Sequence, residues 1–172
     1  MLTLKHCNQA DSLREYEFVR AIPVDENGFT NEWHGVSYEV FCEKALPQMM
    51  DWAKGENLPE GFVPETFLFL WDGDVIVGQF RVRHHLCESL RTGGGHIGYY
   101  IAKEHRGKGY ATEGLRLTLD YARHIVPEEE FYLRLLKTNP ASLKVMLKNG
   151  GRVVGEDEEH LFVRIPNPGK GE

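Results

Sequence analysis

Cysteine is scarce in this chain. Only Cys7, Cys42 and Cys87 occur in 172 residues, widely separated and odd in number. A framework of paired disulfides needs an even set, so that class is excluded, and the usage fits a reducing, cytoplasmic setting. Long apolar runs are missing too. No stretch approaches the roughly 18 residues that suggest a membrane span. The opening MLTLKHCNQADSLREYE turns charged too early to hold a signal-peptide core. Basic residues are the minority: 20 Lys and Arg stand against 26 Asp and Glu, a formal net charge of −6. That balance argues against nucleic acid as the main partner, because phosphate backbones select basic surfaces, and it tolerates a cationic substrate. No Gly-x-x-x-x-Gly-Lys-Ser/Thr occurs, which removes the P-loop class.

What is present is ordinary globular composition, 41% hydrophobic and 27% charged, in a chain long enough for one domain with its own core. The pattern predicts a single domain over residues 1–166 and a frayed tail over 167–172. Residues 1–7 alternate as a short strand. A helix follows from Asp11 or Ser12 to Ala21, stopped by Pro23. PVDENGFTNEWHG reads as a polar loop, and 37–54 as a helix capped by Ser37 and kinked at Pro47. Residues 65–72 and 74–86 read as strands joined at Asp72-Gly73-Asp74, a tight-hairpin signal. SLRTGGG is a flexible connection. Residues 96–104 form another strand, and an amphipathic helix runs from Gly109 to about Ile125. A strand at 131–137, a helix over NPASLKVMLKNGG and a final hairpin complete a mixed α/β layer.

The sharpest local feature is Arg106-Gly107-Lys108-Gly109, between a strand and a helix. A helix start carries unpaired N–H groups and partial positive charge. Glycines let a ligand approach the backbone, and two cations stand beside it. The turn is therefore either an anion site suited to phosphate or a solvated surface turn. Gly93-Gly94-Gly95-His96-Ile97-Gly98 has dinucleotide-fold spacing, but those glycines precede a strand where that motif follows one.

At these residues the chain resembles the GNAT superfamily of N-acetyltransferases. Arg106-Gly107-Lys108-Gly109-Tyr110-Ala111 is similar to its Arg/Gln-x-x-Gly-x-Gly/Ala acyl-CoA signature, and NPASLKVMLKNGG to its Asn-x-x-Ser helix ending in glycine. FVPETFLFL and GGGHIGYYI further resemble a bacterial branch of predicted acetyltransferases. The resemblance spans essentially the whole chain. It implies a central, mostly antiparallel mixed sheet of about seven strands flanked by helices, with the fourth and fifth splayed into a cleft. It also implies acetyl-CoA as cosubstrate, a small-molecule or peptide amine as acceptor, and no metal. On that resemblance the backbone of Ile101 and Ala102 would pair with pantetheine. The amides of Gly107, Lys108, Gly109, Tyr110, Ala111 and Thr112 would hold the pyrophosphate, assisted by Arg106 and Lys108. Asn139 and Ser142 would lie near the pantetheine arm, Asn139 serving as helix cap or ligand or both. A backbone N–H near Ile101 would stabilise the oxyanion.

The chain departs from the family in its proton chemistry. Aligning Asn139, Ser142 and Gly150 places Met146 where many members carry a proton-donating Tyr. Tyr99 and Tyr100 lie nearby in the strand. His96 stands near the position of a frequent catalytic Glu and is the expected candidate base, against a packing role. His85 and Cys87 share a strand face but do not make a zinc site, and Glu104 reads as solvated. Asp25, Glu26 and Glu32 beside Phe29 and Trp33 form either a lining for a cationic amine or a solvated loop. Two alternatives accompany the main expectation: transfer of a different acyl group, and a CoA-binding protein without catalysis. Exposed strand edges allow a homodimer.

Overall fold

The eight residues of Glu65–Asp72 are almost continuously apolar, which calls for a strand covered on both faces. The computed structural model, which describes residues 1–170, places them at the centre of the molecule. In chain order the elements are β1 (Leu2–His6), α1 (Ser12–Ala21), β2 (Asp25–Glu26), β3 (Phe29–Thr30) and α2 (Tyr38–Val40). A π-helical stretch (Phe41–Ala45) leads into α3 (Leu46–Ala53), β4 (Glu65–Asp72), β5 (Val75–Arg83) and α4 (Glu88–Arg91). Then come β6 (Ile97–Ile101), a 3-10 turn (Lys103–His105), α5 (Tyr110–Ala122), β7 (Glu130–Leu136), α6 (Pro140–Lys148), β8 (Arg152–Glu156) and β9 (His160–Pro166).

The long strands form two sheets rather than one. The first has the order β1-β4-β5-β6 and the second β7-β9-β8, with β2-β3 as a separate small hairpin. Every ladder is antiparallel. The expected hairpin between β4 and β5 forms, with Asp72 paired to Val75 and Gly73 (φ +59°) at the first central position of a Gly73-Asp74 loop. The π-helical stretch ends beside Pro47. Proline has no N–H to return to the preceding turn, and the wider register absorbs the lost bond without breaking the helix.

β4 divides the core in two. Leu68 and Leu70 join Phe80, Leu115, Leu133 and Val163 beneath α5. Phe67, Phe69 and Trp71 join Phe41, Met49 and Val19 beneath α1 and α3. The expected tail begins too early at 167. Asn167 is buried, its side-chain amide donating to the carbonyls of Val126 (3.1 Å) and Glu128 (2.9 Å). Gly171 and Glu172 of that expected tail lie outside the described residues.

Gly114 sets the distance between α5 and the first sheet. A Cβ there would collide with the Phe80 ring and come within 3.0 Å of a Leu70 methyl. Gly114→Ala is expected to lower stability by about 1–3 kcal/mol, as overpacking does. A fall in the denaturant midpoint at unchanged m-value checks it.

Candidate active site

β6 and β7 touch at one end only. Gly95 has φ +65°, and a Cβ there would collide with the Tyr132 carbonyl, so a glycine lets the two strands meet. The His96 N–H donates to that carbonyl at 2.7 Å. In return the Tyr132 N–H donates to His96 Nδ1 at 2.8 Å. An Nδ1 that accepts leaves the proton on Nε2, which donates to Glu128 Oε2 at 3.1 Å. Glu128 Oε1 accepts the Leu86 N–H. Beyond this clasp no ladder joins β6 to β7. They diverge around a cleft of about 820 Å³.

His96 is therefore a correction to the sequence reading. It is fully buried and outside the cleft lining, and its lone pair is spent on a backbone N–H. It cannot take a proton from an acceptor. The packing role is the one it fills.

The register of β6 decides which main-chain groups face the cleft. The Ala102 N–H donates to the Val77 carbonyl at 3.1 Å, and the Arg83 N–H to the His96 carbonyl at 2.7 Å. With Gly98 opposite Arg81 and Tyr100 opposite Gln79, the even-numbered residues bond to β5. Ile97, Tyr99 and Ile101 then turn their N–H and C=O outward. Ile101 lies on the open edge as expected. Ala102 does not: its N–H is already used within the sheet, and it is absent from the cleft lining.

The Arg106–Gly109 loop behaves as its glycines require. Gly107 (φ +75°) and Gly109 (φ +82°) adopt the left-handed conformation that other residues avoid. Gly109 is the N-cap of α5 and supplies no side chain, so the N–H groups of Tyr110, Ala111 and Thr112 have no helical acceptor. Gly107, Gly109, Tyr110, Ala111 and Thr112 all line the cleft. Lys108 does not line it. Arg106 reaches the cleft but is occupied: its Nε donates to the Ile101 carbonyl at 2.9 Å and its Nη1 to Glu26 Oε1 at 3.0 Å. Arg106 braces the loop, with Nε and Nη1 both engaged within the protein.

α6 closes the far side. Asn139 caps it, accepting the Ser142 N–H at 3.3 Å. Ser142 Oγ lies 2.6 Å from the Tyr99 hydroxyl, whose pKa burial pushes up to about 12. Met146 lines the cleft at the place of the missing family Tyr, mostly covered by the core.

A strand edge with open main-chain groups, beside an uncapped helix start, suits a long ligand bearing amides and phosphates. A model of the acetyltransferase (GNAT) domain matches residues 15–152. The chain belongs to the GNAT acetyltransferase family. It is similar to a probable N-acetyltransferase, YjcK, of Bacillus subtilis (strain 168), 29% identical over 111 residues, which span 59% of this chain and 60% of that protein. Among solved structures it resembles the ribosomal-protein-S5-alanine acetyltransferase of Vibrio fischeri at TM-score 0.75 and 18% identity, covering 99% of this chain and 96% of that one. It also resembles the spermidine N-acetyltransferase of Vibrio cholerae in complex with CoA and spermine at TM-score 0.61 and 17% identity, covering 96% and 95%. At such identities the likeness is one of fold.

In this GNAT protein the segment expected to be a polar loop is built. Asn27 (φ 54°) and Gly28 (φ 85°) form the turn between β2 and β3. Asn31 is buried and donates to the carbonyls of Val19 (2.8 Å) and Ile22 (2.9 Å), fixing the hairpin to the end of α1. Residues Glu26 to Thr30 wall the cleft, with Phe29 stacked on Tyr100 at 5.7 Å. The available signal was Asn27-Gly28, the strongest short hairpin motif.

Burial lowers the pKa of His96 from its ordinary 6.5, against the pull of Glu128. The unfolded chain therefore takes up this proton first as pH falls, and the clasp's stabilisation is lost below about pH 6.5. His96→Phe is expected to lower stability at pH 7.5 and to flatten its fall between pH 7.5 and 5.5. Denaturant titrations of both proteins at the two pH values check this.

Proposed function

We propose that the protein transfers the acetyl group of acetyl-CoA directly to a primary amine. The observation that carries this reading is the convergence on one cleft of the α5 first-turn amides and the outward edge of β6. The amides of Gly107 to Thr112 would hold the diphosphate, with helix charge assisting. The edge at Tyr99 and Ile101 would pair with the pantetheine arm. Arg106 already takes the Ile101 carbonyl, so the Ile101 N–H is the group left to stabilise the tetrahedral oxyanion.

Two proton roles follow. Glu26 is the one carboxylate in the cleft wall among the described residues; its Oε1 is held by Arg106, and its Oε2 is buried without a partner. Glu26 Oε2 receives the proton of the acceptor ammonium. The Tyr99–Ser142 hydroxyl pair stands where Met146 supplies no donor. A phenol with a pKa of about 12 stays protonated in neutral solution and donates a hydrogen bond to the leaving sulfur. Met146 also supports a second reading, a CoA-binding protein without turnover.

The decisive experiment follows thiol release from acetyl-CoA across an amine panel, with CoA binding measured alongside. Turnover of at least one amine is expected; tight binding with none favours the second reading. Gly109→Ala places a Cβ on a left-handed residue and strains the loop by about 1–2 kcal/mol. CoA affinity is expected to fall about five- to thirtyfold, and an unchanged Kd refutes the loop assignment. Glu26→Gln is expected to reduce kcat by about a hundredfold or more at pH 7, read as thiol release at saturating acetyl-CoA.

A further inference from the structure

The cleft is cationic although the chain is anionic. Arg81, Arg83, Arg134, Lys144 and Lys148 line it, and among the described residues Glu26 is the only carboxylate that does. Most of these charges have partners or stand at the rim. Arg83 Nη1 donates to the Gly95 carbonyl at 3.1 Å. Glu26 is already paired with Arg106.

Arg81 is different. It projects from β5 opposite Gly98, on the sheet face covered by the β2-β3 hairpin. Its guanidinium lies 4.2 Å from the Phe29 ring centroid and 5.4 Å from that of Phe67. Among the described residues no carboxylate comes within ion-pair distance of it, and its side-chain hydrogen bond is a long one, Nη2 to Gln79 Oε1 at 3.3 Å. Its Nε is shielded from solvent with no acceptor, and the adjacent Gln79 Nε2 is in the same state. Burial draws the Arg81 pKa down to about 10, Arg83 adding to the effect while the more distant carboxylates of Glu65 and Glu32 oppose it. Buried donors of this kind are costly unless something completes them. The floor beside them is open: a Cβ on Gly98 would meet only the edge of Phe29, at 3.9 Å.

We propose that Arg81 receives a carboxylate of the acceptor, so that the acceptor is a small amine carrying a carboxylate, of the amino-acid type, rather than a polyamine. This rests on the acetyl-transfer reading above. Glu26 and Phe29 are cross-strand partners in the hairpin, and Arg81 covers Phe29. A carboxylate for the ammonium and a guanidinium for the acid thus flank one aromatic ring, the arrangement a zwitterion needs. Arginine binds a carboxylate through paired N–H groups, and the unpartnered Nε is one of them. The structure thereby answers the expectation of a cationic-amine lining. Glu26 reaches the cleft, whereas Asp25, Glu32 and Trp33 do not line it.

The test measures thiol release from acetyl-CoA with L-amino acids, their primary carboxamides and spermidine. Calorimetry follows binding of the same compounds to the CoA-loaded protein. Carboxylates are expected to exceed the matching carboxamides by about tenfold to a hundredfold in kcat/KM. Arg81→Gln is expected to erase that preference through KM, and Arg81→Lys to keep part of it. CoA affinity is expected to be unchanged in both variants, which reports an intact fold. Equal use of carboxylates and carboxamides, a preference for spermidine, carboxylates that neither bind nor react, or a preference that survives Arg81→Gln overturns the inference. Carboxylate binding lost in Arg81→Gln, with no amine turned over, upholds the carboxylate site and overturns the transferase reading instead.

Discussion

The clasp between His96 and Tyr132 is the constraint on which the rest of the molecule depends. Two backbone-directed hydrogen bonds and a buried contact to Glu128 join the sheets at one end of β6 and β7. Had the strands continued to pair, the outward N–H and C=O groups of Tyr99 and Ile101 would have been consumed by β7. Because they are joined and then released, an edge stays open inside the protein. Such an edge normally invites aggregation. Here it is enclosed by α6, the hairpin and the start of α5, inside the cleft.

Two kinds of recognition surround that edge. The proposed cofactor side is main chain: left-handed glycines, first-turn amides and the odd-numbered residues of β6. The proposed acceptor side is side chain: Arg81, Phe29, Glu26 and Tyr100. Arg106 spans the boundary, holding the end of β6 through the Ile101 carbonyl and the hairpin through Glu26. A residue whose charge in isolation points to phosphate thus acts as a brace, with its guanidinium 5.4 Å from the Tyr100 ring centroid.

Elements with local signals were legible in the sequence. The continuous apolar run of β4, the Asp72-Gly73 turn, the stripe of α5 and the Asn139-Pro140 helix start all declared themselves through periodicity or turn chemistry. The glycine loop did so as well, because positive φ beside a helix start leaves few alternatives. What failed depended on partners distant in the chain. Whether Ile101 or Ala102 faces the cleft is a matter of register with β5, and a shift of one residue reverses it. His96 was expected as a base from its place near a frequent catalytic Glu, whereas its lone pair is claimed by a residue 36 positions away. The hairpin at Asn27-Gly28 was readable but hidden by its polar surroundings. Its order comes from Asn31, which satisfies carbonyls on α1 that sequence alone does not bring near. The bracing role of Arg106 requires Glu26, 80 residues earlier.

A cofactor gripped by backbone is largely indifferent to which side chains the loop carries, provided its glycines keep their conformation. On the proposed reading, mutation can then roam over the face of β5 and over the hairpin apart from Glu26, which holds Arg106, without disturbing the glycine loop. The fold itself persists at 17–18% identity among proteins named for a ribosomal protein and for spermidine. Backbone shape is what such a loop must preserve, while the side chains across the cleft are free to diverge.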